Sequence, residues 1–408
     1  MAVQINQDRL WQSLMEMGKF GATPLGGVGR LALSDEDKQA RDLFVEWCRE
    51  ADMTVRIDQM GNIIARREGT DPEAAPVMTG SHLDSQPLGG KFDGAYGVMA
   101  GLEVVRAMND ANIVTRAPIE VVNWTDEEGC RFVSGTMGSG VFVGVDDLEK
   151  SLVDPDPSGV TVGEELARIG YAGSEPVGGY DIAAYFEAHI EQGPILEKED
   201  IPVGVVVGAQ ARRNYNVNVI GDEGHAGTMP MDQRQDALLG AARMIEVINK
   251  VAFMYEPWPV ITVGRLFVKP GSRNTIPGGC EFTIDSRHPN GDTLHQIGVT
   301  MEMACQKIAD DSRLELEFVN VSNSVAVEFD QRCVQAVRDA AIKIGVKQRD
   351  IYSGAGHDAC NLALTTPTGM VFVPCKDGIS HNEKEDARPS DLAAGCHVLA
   401  EAMLEMAS

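Results

Sequence analysis

Apolar positions recur along this chain with two periods, and the alternation between them predicts its organisation. Ser34 has Asp37 three residues on, a capping-box pattern, and Ala40, Leu43, Phe44, Trp47, Cys48 and Ala51 then share one face at helical spacing. Strand-like runs follow at 54–57, 62–66 and 77–80. The spacing next predicts a helix over 97–108 and a strand over 119–124. Strands and helices in alternation point to an α/β layer with a largely parallel sheet. Residues 153–180, rich in Gly, Pro, Ser and acidic side chains, read as a surface excursion. Strand signals resume at 184–187 and 203–207.

From about residue 211 the pattern changes. Strands are predicted at 214–220, 260–267, 281–285 and 314–319, with long helices at about 232–251 and 293–309. This reads as an α+β domain, 211–328, inserted into a discontinuous α/β domain made of 1–210 and 329–408. A helix carrying Val334, Val337, Ala341 and Ile344 and a strand at 369–373 return to the first pattern.

Composition narrows the function. The 408 residues carry 35 basic and 61 acidic side chains, a formal charge of −26. Such a surface repels phosphates, so nucleic-acid and anionic-membrane partners are not expected. A hydrophobic content of 43% excludes a disordered acidic polymer. No apolar run approaches the roughly 18 residues of a membrane span. The N-terminal residues lack the basic and apolar segments of a secretion signal, so a cytoplasmic location is expected. The eight cysteines form no C-x-x-C pair and read as buried, reduced thiols, which disfavours disulfides and thiolate zinc sites.

The candidate chemistry lies after the strands. His82 and Asp84 follow one apolar run, and Asp93 sits in a Gly-rich loop before a helix. Glu127 and Glu128 follow the strand ending at Trp124, His189 follows 184–187, and His381 follows 369–373. In an open α/β sheet, ligands bind at the carboxyl edge of the strands. Singly, each feature also fits a solvated loop; their coincidence carries the reading. Imidazoles and carboxylates without thiolates suit Zn²⁺, Mn²⁺, Co²⁺ or Ni²⁺. One carboxylate can bridge two ions, and of two adjacent glutamates one can bind metal while the other moves a proton. Asp84 could accept the second ring N–H of His82 and fix its tautomer.

The ordered motifs GSHLDSQPLGGKFDG, NWTDEEGCRF, SGTMGSGVF, EAHIEQGP, GHAGTMPM, SRNTIPGG, DSRHP, SGAGHDA and KDGISHNE span nearly the whole chain. Together they resemble the dinuclear-metal amidohydrolases of the M20 peptidase-like superfamily. The resemblance is to the branch of N-carbamoyl-L-amino-acid hydrolases, β-ureidopropionases and allantoate amidohydrolases. It implies a mixed-sheet, aminopeptidase-like catalytic domain with an inserted α+β lid and dimerisation domain, and a homodimer formed through 211–328.

The same resemblance implies the site. His82, Asp93 and His189 would hold one divalent ion, and Asp93 would bridge to a second held with Glu128 and His381. Zinc is the first expectation for both, with manganese, cobalt or nickel as alternatives. Glu127 would be the general base. His225 would reach the neighbouring subunit's site and stabilise the oxyanion. Asn274 and Arg287 would bind substrate, the guanidinium forking onto a carboxylate; Gln192 and His357 would line the pocket. Peptidases of the superfamily usually carry an acidic residue where this chain has His189, which favours the amidohydrolase branch. Ser85 departs from the threonine common there, and the acidic excess is left unexplained. His288, His295 and His397 match no functional position.

The expected reaction is hydrolysis of the carbamoyl C–N bond of an N-carbamoyl-L-amino acid or N-carbamoyl-β-alanine, giving amino acid, CO₂ and ammonia. Allantoate amidohydrolase is the neighbouring reading. The stretches 90–93 and 135–139 look more like the carbamoylases. An aminoacylase or dipeptidase, or a non-catalytic metal-binding paralogue, are more distant alternatives.

Overall fold

The computed structural model describes residues 3–132 and 134–408. They divide into two compact units, Met1–Val207 with Glu328–Ser408, and Gly208–Val327.

The first unit is built on a nine-stranded sheet. Its order is Thr54–Ile57, Ile63–Arg67, Ile119–Trp124, Val77–His82, Ala184–Ile190, Thr368–Val373, Val203–Ala209 and Val327–Glu328, with Gln348–Ser353 also paired to Val203–Ala209. The four central strands run parallel, while the flanking pairs are antiparallel. The sheet is therefore mixed, as the family resemblance implied, rather than largely parallel as the alternation alone suggested. Every residue of the four central strands is buried, as befits parallel strands covered on both faces. Helices Ala95–Asp110, Gln331–Ile344 and Pro389–Ala407 pack on them, as do the shorter Met137–Val143 and Asp358–Leu362. The first of these lies very close: a Cβ at Gly97 would stand 2.5 Å from the Ala188 carbonyl.

Several local expectations change. The helix Asp35–Glu50 has only half a capping box: Ser34 accepts from the Asp37 N–H, but the Asp37 carboxylate takes the Leu33 N–H at 2.8 Å and Arg41 at 2.7 Å. A complete box, Thr161 with Glu164, opens Val162–Ile169 inside the stretch read as an excursion. Besides several helices of eight residues or fewer, Gln7–Met17 and Pro389–Ala407 also fall outside the helices that the spacing predicts. Pro389–Ala407 is buried along most of its length, so its apolar residues form no single stripe. Strands Val77–His82 and Ala184–Ile190 run further than expected, so His82 and His189 lie within strands rather than beyond them.

The second unit holds a four-stranded antiparallel sheet, ordered Glu315–Ser324, Ala211–Ile220, Gly279–His288, Val260–Lys269. Burial alternates strictly along Gly279–His288, the signature of a sheet covered on one face. That face packs Val217, Val219, Phe282 and Ile284 against Met244 and Ile248 of helix Ala237–Ala252 and Ile297 and Met301 of Gly291–Ser312. Asp236 and Asn290 cap these helices. A two-stranded ribbon joins Gly224–His225 to Thr275–Ile276.

All eight cysteines are free thiols, six of them buried. Among the described residues no helix is long and apolar enough to cross a membrane.

Candidate metal centre

The centre forms where the parallel strands end. His82 closes Val77–His82 opposite Trp124, and His189 lies opposite Phe372 in the neighbouring strand. Asp93 enters from the loop before Ala95–Asp110, where Gly94 has φ +64° and a Cβ would strike the His82 ring at 2.3 Å. Glu127 and Glu128 come from the turn after Trp124, opened by Asp126 at φ 55°. His381 comes from the loop after Thr368–Val373, also left-handed at φ 53°.

These side chains converge on Asp93. Its Oδ1 lies 3.1 Å from His189 Nε2 and 3.9 Å from His82 Nε2; its Oδ2 lies 3.3 Å from His381 Nε2. His381 Nε2 is also 3.6 Å from Glu128 Oε2, and His82 Nε2 is 3.4 Å from Glu127 Oε2. The ligand atoms of His82, Asp93 and His189 lie within 4.8 Å of one another, and so do those of Asp93, Glu128 and His381. A third such group, Glu187, His189 and His357, shares His189.

Backbone acceptors orient the rings. His82 Nδ1 lies 2.9 Å from the Asp84 carbonyl, and His189 Nδ1 lies 2.9 Å from the Ile190 carbonyl. Donation there turns both Nε2 atoms toward the carboxylates of the centre, His189 toward Asp93 and His82 toward Glu127 and Asp93. Asp84 thus meets the ring through its main-chain carbonyl. The Asp84 carboxylate, 3.8 Å from the ring, instead accepts the amides of Glu127 at 3.3 Å and Glu128 at 3.2 Å. It shapes the glutamate turn.

The electrostatics reveal a deficit of positive charge. Burial, reinforced by Asp358, Glu128, Asp84 and Asp93, raises Glu127 well above the usual carboxylate range. Burial and Asp93 raise Glu128. Burial alone would lift Asp93 too, but hydrogen bonds from His189 and His381 drive it well below its ordinary value. The imidazoles respond in kind. Burial lowers His189, yet Asp93 and Glu187 outweigh it and push it up to about 9. His381 rises through its bond to Asp93. Crowded, largely buried carboxylates need cations beside them, and divalent ions would supply that charge. The donors, imidazole nitrogen and carboxylate oxygen, suit borderline divalent metals. The residues fit a pair of ions sharing Asp93.

The other expected residues fall in different places. Gln192 Nε2 donates to Asp93 Oδ2 at 2.9 Å. His357 is buried, its ring edge-on to His189 at 4.5 Å and its Nε2 2.9 Å from Ser353 Oγ; burial, then His189, holds its pKa well below the ordinary value. In the second unit His225 is exposed and accepts the Gly227 N–H at Nδ1. The Asn274 carbonyl accepts from Ala226, which places Asn274 beside that histidine's turn. Arg287 forks onto Asp285 at 2.8 and 3.2 Å.

Sequence reasoning missed three residues of the centre. Gln86 grips Glu128, its backbone N–H reaching Oε1 at 3.2 Å and its amide Oε2 at 2.6 Å. Ser380 donates to Asp93 Oδ2 at 2.7 Å, and Glu385 sits behind both. The available signal was proximity: Gln86 lies four residues after His82, and Ser380 precedes His381.

Two clusters of imidazole and carboxylate donors that share one carboxylate, at the carboxyl edge of a mixed α/β sheet, suit a class, the two-metal hydrolases. Residues 78–405 match peptidase family M20/M25/M40, and the chain belongs to that family. Over 404 residues it is 46% identical to an N-carbamoyl-L-amino-acid amidohydrolase of Rhizobium meliloti, covering 99% of this chain and 97% of the relative. A ureidoglycolate hydrolase of Oryza sativa subsp. japonica is 32% identical, covering 98% of this chain and 85% of the relative. The solved structure of a hydantoinase/carbamoylase-family amidase from Burkholderia multivorans superposes with TM-score 0.97 at 54% identity, covering 99% of this chain and 98% of that one.

Proposed function

We propose that the protein hydrolyses the carbamoyl C–N bond of N-carbamoyl-L-amino acids or N-carbamoyl-β-alanine, releasing the amino acid, CO₂ and ammonia. The observation that carries this reading is Asp93 shared between His82/His189 and Glu128/His381, with Glu127 against His82, in a family member similar to carbamoylases over its full length. The ions are proposed to be zinc, with manganese, cobalt or nickel able to take the same donors. Bound there, such ions supply water that loses a proton near neutral pH.

Glu127 is the proposed base. It takes the proton from the attacking water and returns it to the leaving nitrogen. Burial raises its pKa, which suits a carboxyl that must hold a proton between those steps. Gln192, on Asp93, and His357, on His189, are proposed to edge the substrate pocket. His225 is proposed to stabilise the oxyanion in a neighbouring subunit, and Asn274 and Arg287 to take the substrate carboxylate, which would displace Asp285 from the guanidinium fork. We further propose a cytoplasmic homodimer joined through 211–328 as a lid and dimerisation domain. The half-exposed Leu266, Phe267, Val319 and Val321 on the sheet's outer strands support an interface there.

Ammonia release from N-carbamoyl-L-amino acids, N-carbamoyl-β-alanine, allantoate and ureidoglycolate by zinc- or manganese-loaded protein tests the proposal. Faster turnover of allantoate or ureidoglycolate would replace the substrate class. Cleavage of dipeptides or N-acyl amino acids alone would overturn the reaction.

A further inference from the structure

Glu385 has no part in the chemistry above, yet its side chain is buried in the site's supporting wall, at 6% exposure. A carboxyl group costs free energy to bury unless its oxygens find partners. Both oxygens of this one do. Its Oε1 accepts the backbone N–H of Phe92 at 2.8 Å and of Asp93 at 3.1 Å. Its Oε2 lies 3.0 Å from Ser380 Oγ, which is itself 2.7 Å from Asp93 Oδ2. The cradle is shaped for it: a Cβ on Gly90 would stand 1.9 Å from the carboxylate. One side chain therefore ties together two loops that are 292 residues apart in sequence. One loop carries Asp93 and the other carries Ser380 and His381.

The second loop needs an anchor. His381 is half exposed, so packing does little to place it, and its backbone is left-handed. Its ring must nevertheless reach the Asp93 oxygen that Ser380 also touches.

We propose that Glu385 is a positioning residue that locks the Asp93 loop and the Ser380–His381 loop in one register, so that Asp93 and His381 address the same ion. The inference rests on the metal reading above. It does not require Glu385 to touch metal or substrate. Replacing it with alanine leaves two buried amides without an acceptor and releases Ser380. Replacing it with glutamine keeps an oxygen for both amides and offers an N–H to Ser380.

The test uses the full chain loaded with zinc. Metal per chain is followed against a competing chelator, and amide hydrogen exchange is followed at Phe92 and Asp93. E385A should lose metal at about tenfold lower chelator concentration or less, as removal of ligand-supporting groups does, and the two amides should exchange faster. E385Q should restore metal retention to within about threefold of native. S380A, a milder change, should also release metal more readily while leaving the two amides protected. Native retention in E385A, or in S380A should E385A not fold, overturns the inference, as does an E385Q no better than E385A. A native chain that takes up no divalent ion defeats the metal reading instead. The loop register is then judged from the amides alone: unchanged protection in E385A overturns it and lost protection supports it.

Discussion

The sheets of the two units treat polar groups in opposite ways. In the first unit the central strands are buried residue by residue, yet His82, His189 and Glu187 lie among them with partners for their polar atoms. In the second, burial alternates, and the candidate residues His225 and Asn274 are exposed, the one on and the other beside a short ribbon held by backbone pairing. Buried ligands are fixed by the chain's own hydrogen bonds, because a misplaced polar group there has no water to fall back on. Exposed candidates have water as an alternative partner, so only a subunit or a substrate can make their position matter.

Variants in each unit can break this contrast. The largest effect is expected from Glu127→Gln, a loss of about 10³-fold in kcat with metal content unchanged; near-native turnover would remove Glu127 from the mechanism. His225→Ala should cost on the order of 10²-fold in kcat. Mixing the two variants should then restore about one quarter of native activity, since half the dimers are mixed and each holds one intact site. No recovery on mixing would place His225 in its own subunit's site or in none. Arg287→Lys should raise KM about tenfold with little change in kcat, because an ammonium cannot fork onto a carboxylate.

The last predicted effect is on stability rather than turnover and lies away from the site. Asp58 is buried, and burial raises its pKa to about 6 despite bonds from Met60 and Asn62. The folded protein therefore binds this proton more tightly than the unfolded chain. Its contribution to stability is largest below about pH 4 and is lost as pH rises to about 6, by up to about 3 kcal/mol. Asp58→Asn should flatten the stability profile across that window in denaturant titrations. An unchanged slope would show that the carboxyl is already ionised in the fold.

Much of the fold was legible because alternation and helical spacing are local. Thr54–Ile57 and Ile119–Trp124 stand where the pattern put them. The helix Pro389–Ala407 was not, since burial on several sides erases the contrast a stripe depends on. The antiparallel flanks were not either, because strand direction depends on pairings between distant segments. At the site, the residue types and their order were readable. Their partners were not: Asp84 serves His82 through its carbonyl, a consequence of how the strand ends.

By itself, then, the sequence determined which side chains could bind metal or move protons, and that they would gather near the ends of strands. It also determined the net charge of −26, which alone says little about the centre. Only the tertiary structure decided that Asp93 stands between two groups of donors, that Glu127 is nearly buried among carboxylates, and that Glu385 joins both loops. The reason is physical. Residue type is a local property, whereas distance and dielectric belong to segments brought together from nearly 300 residues apart.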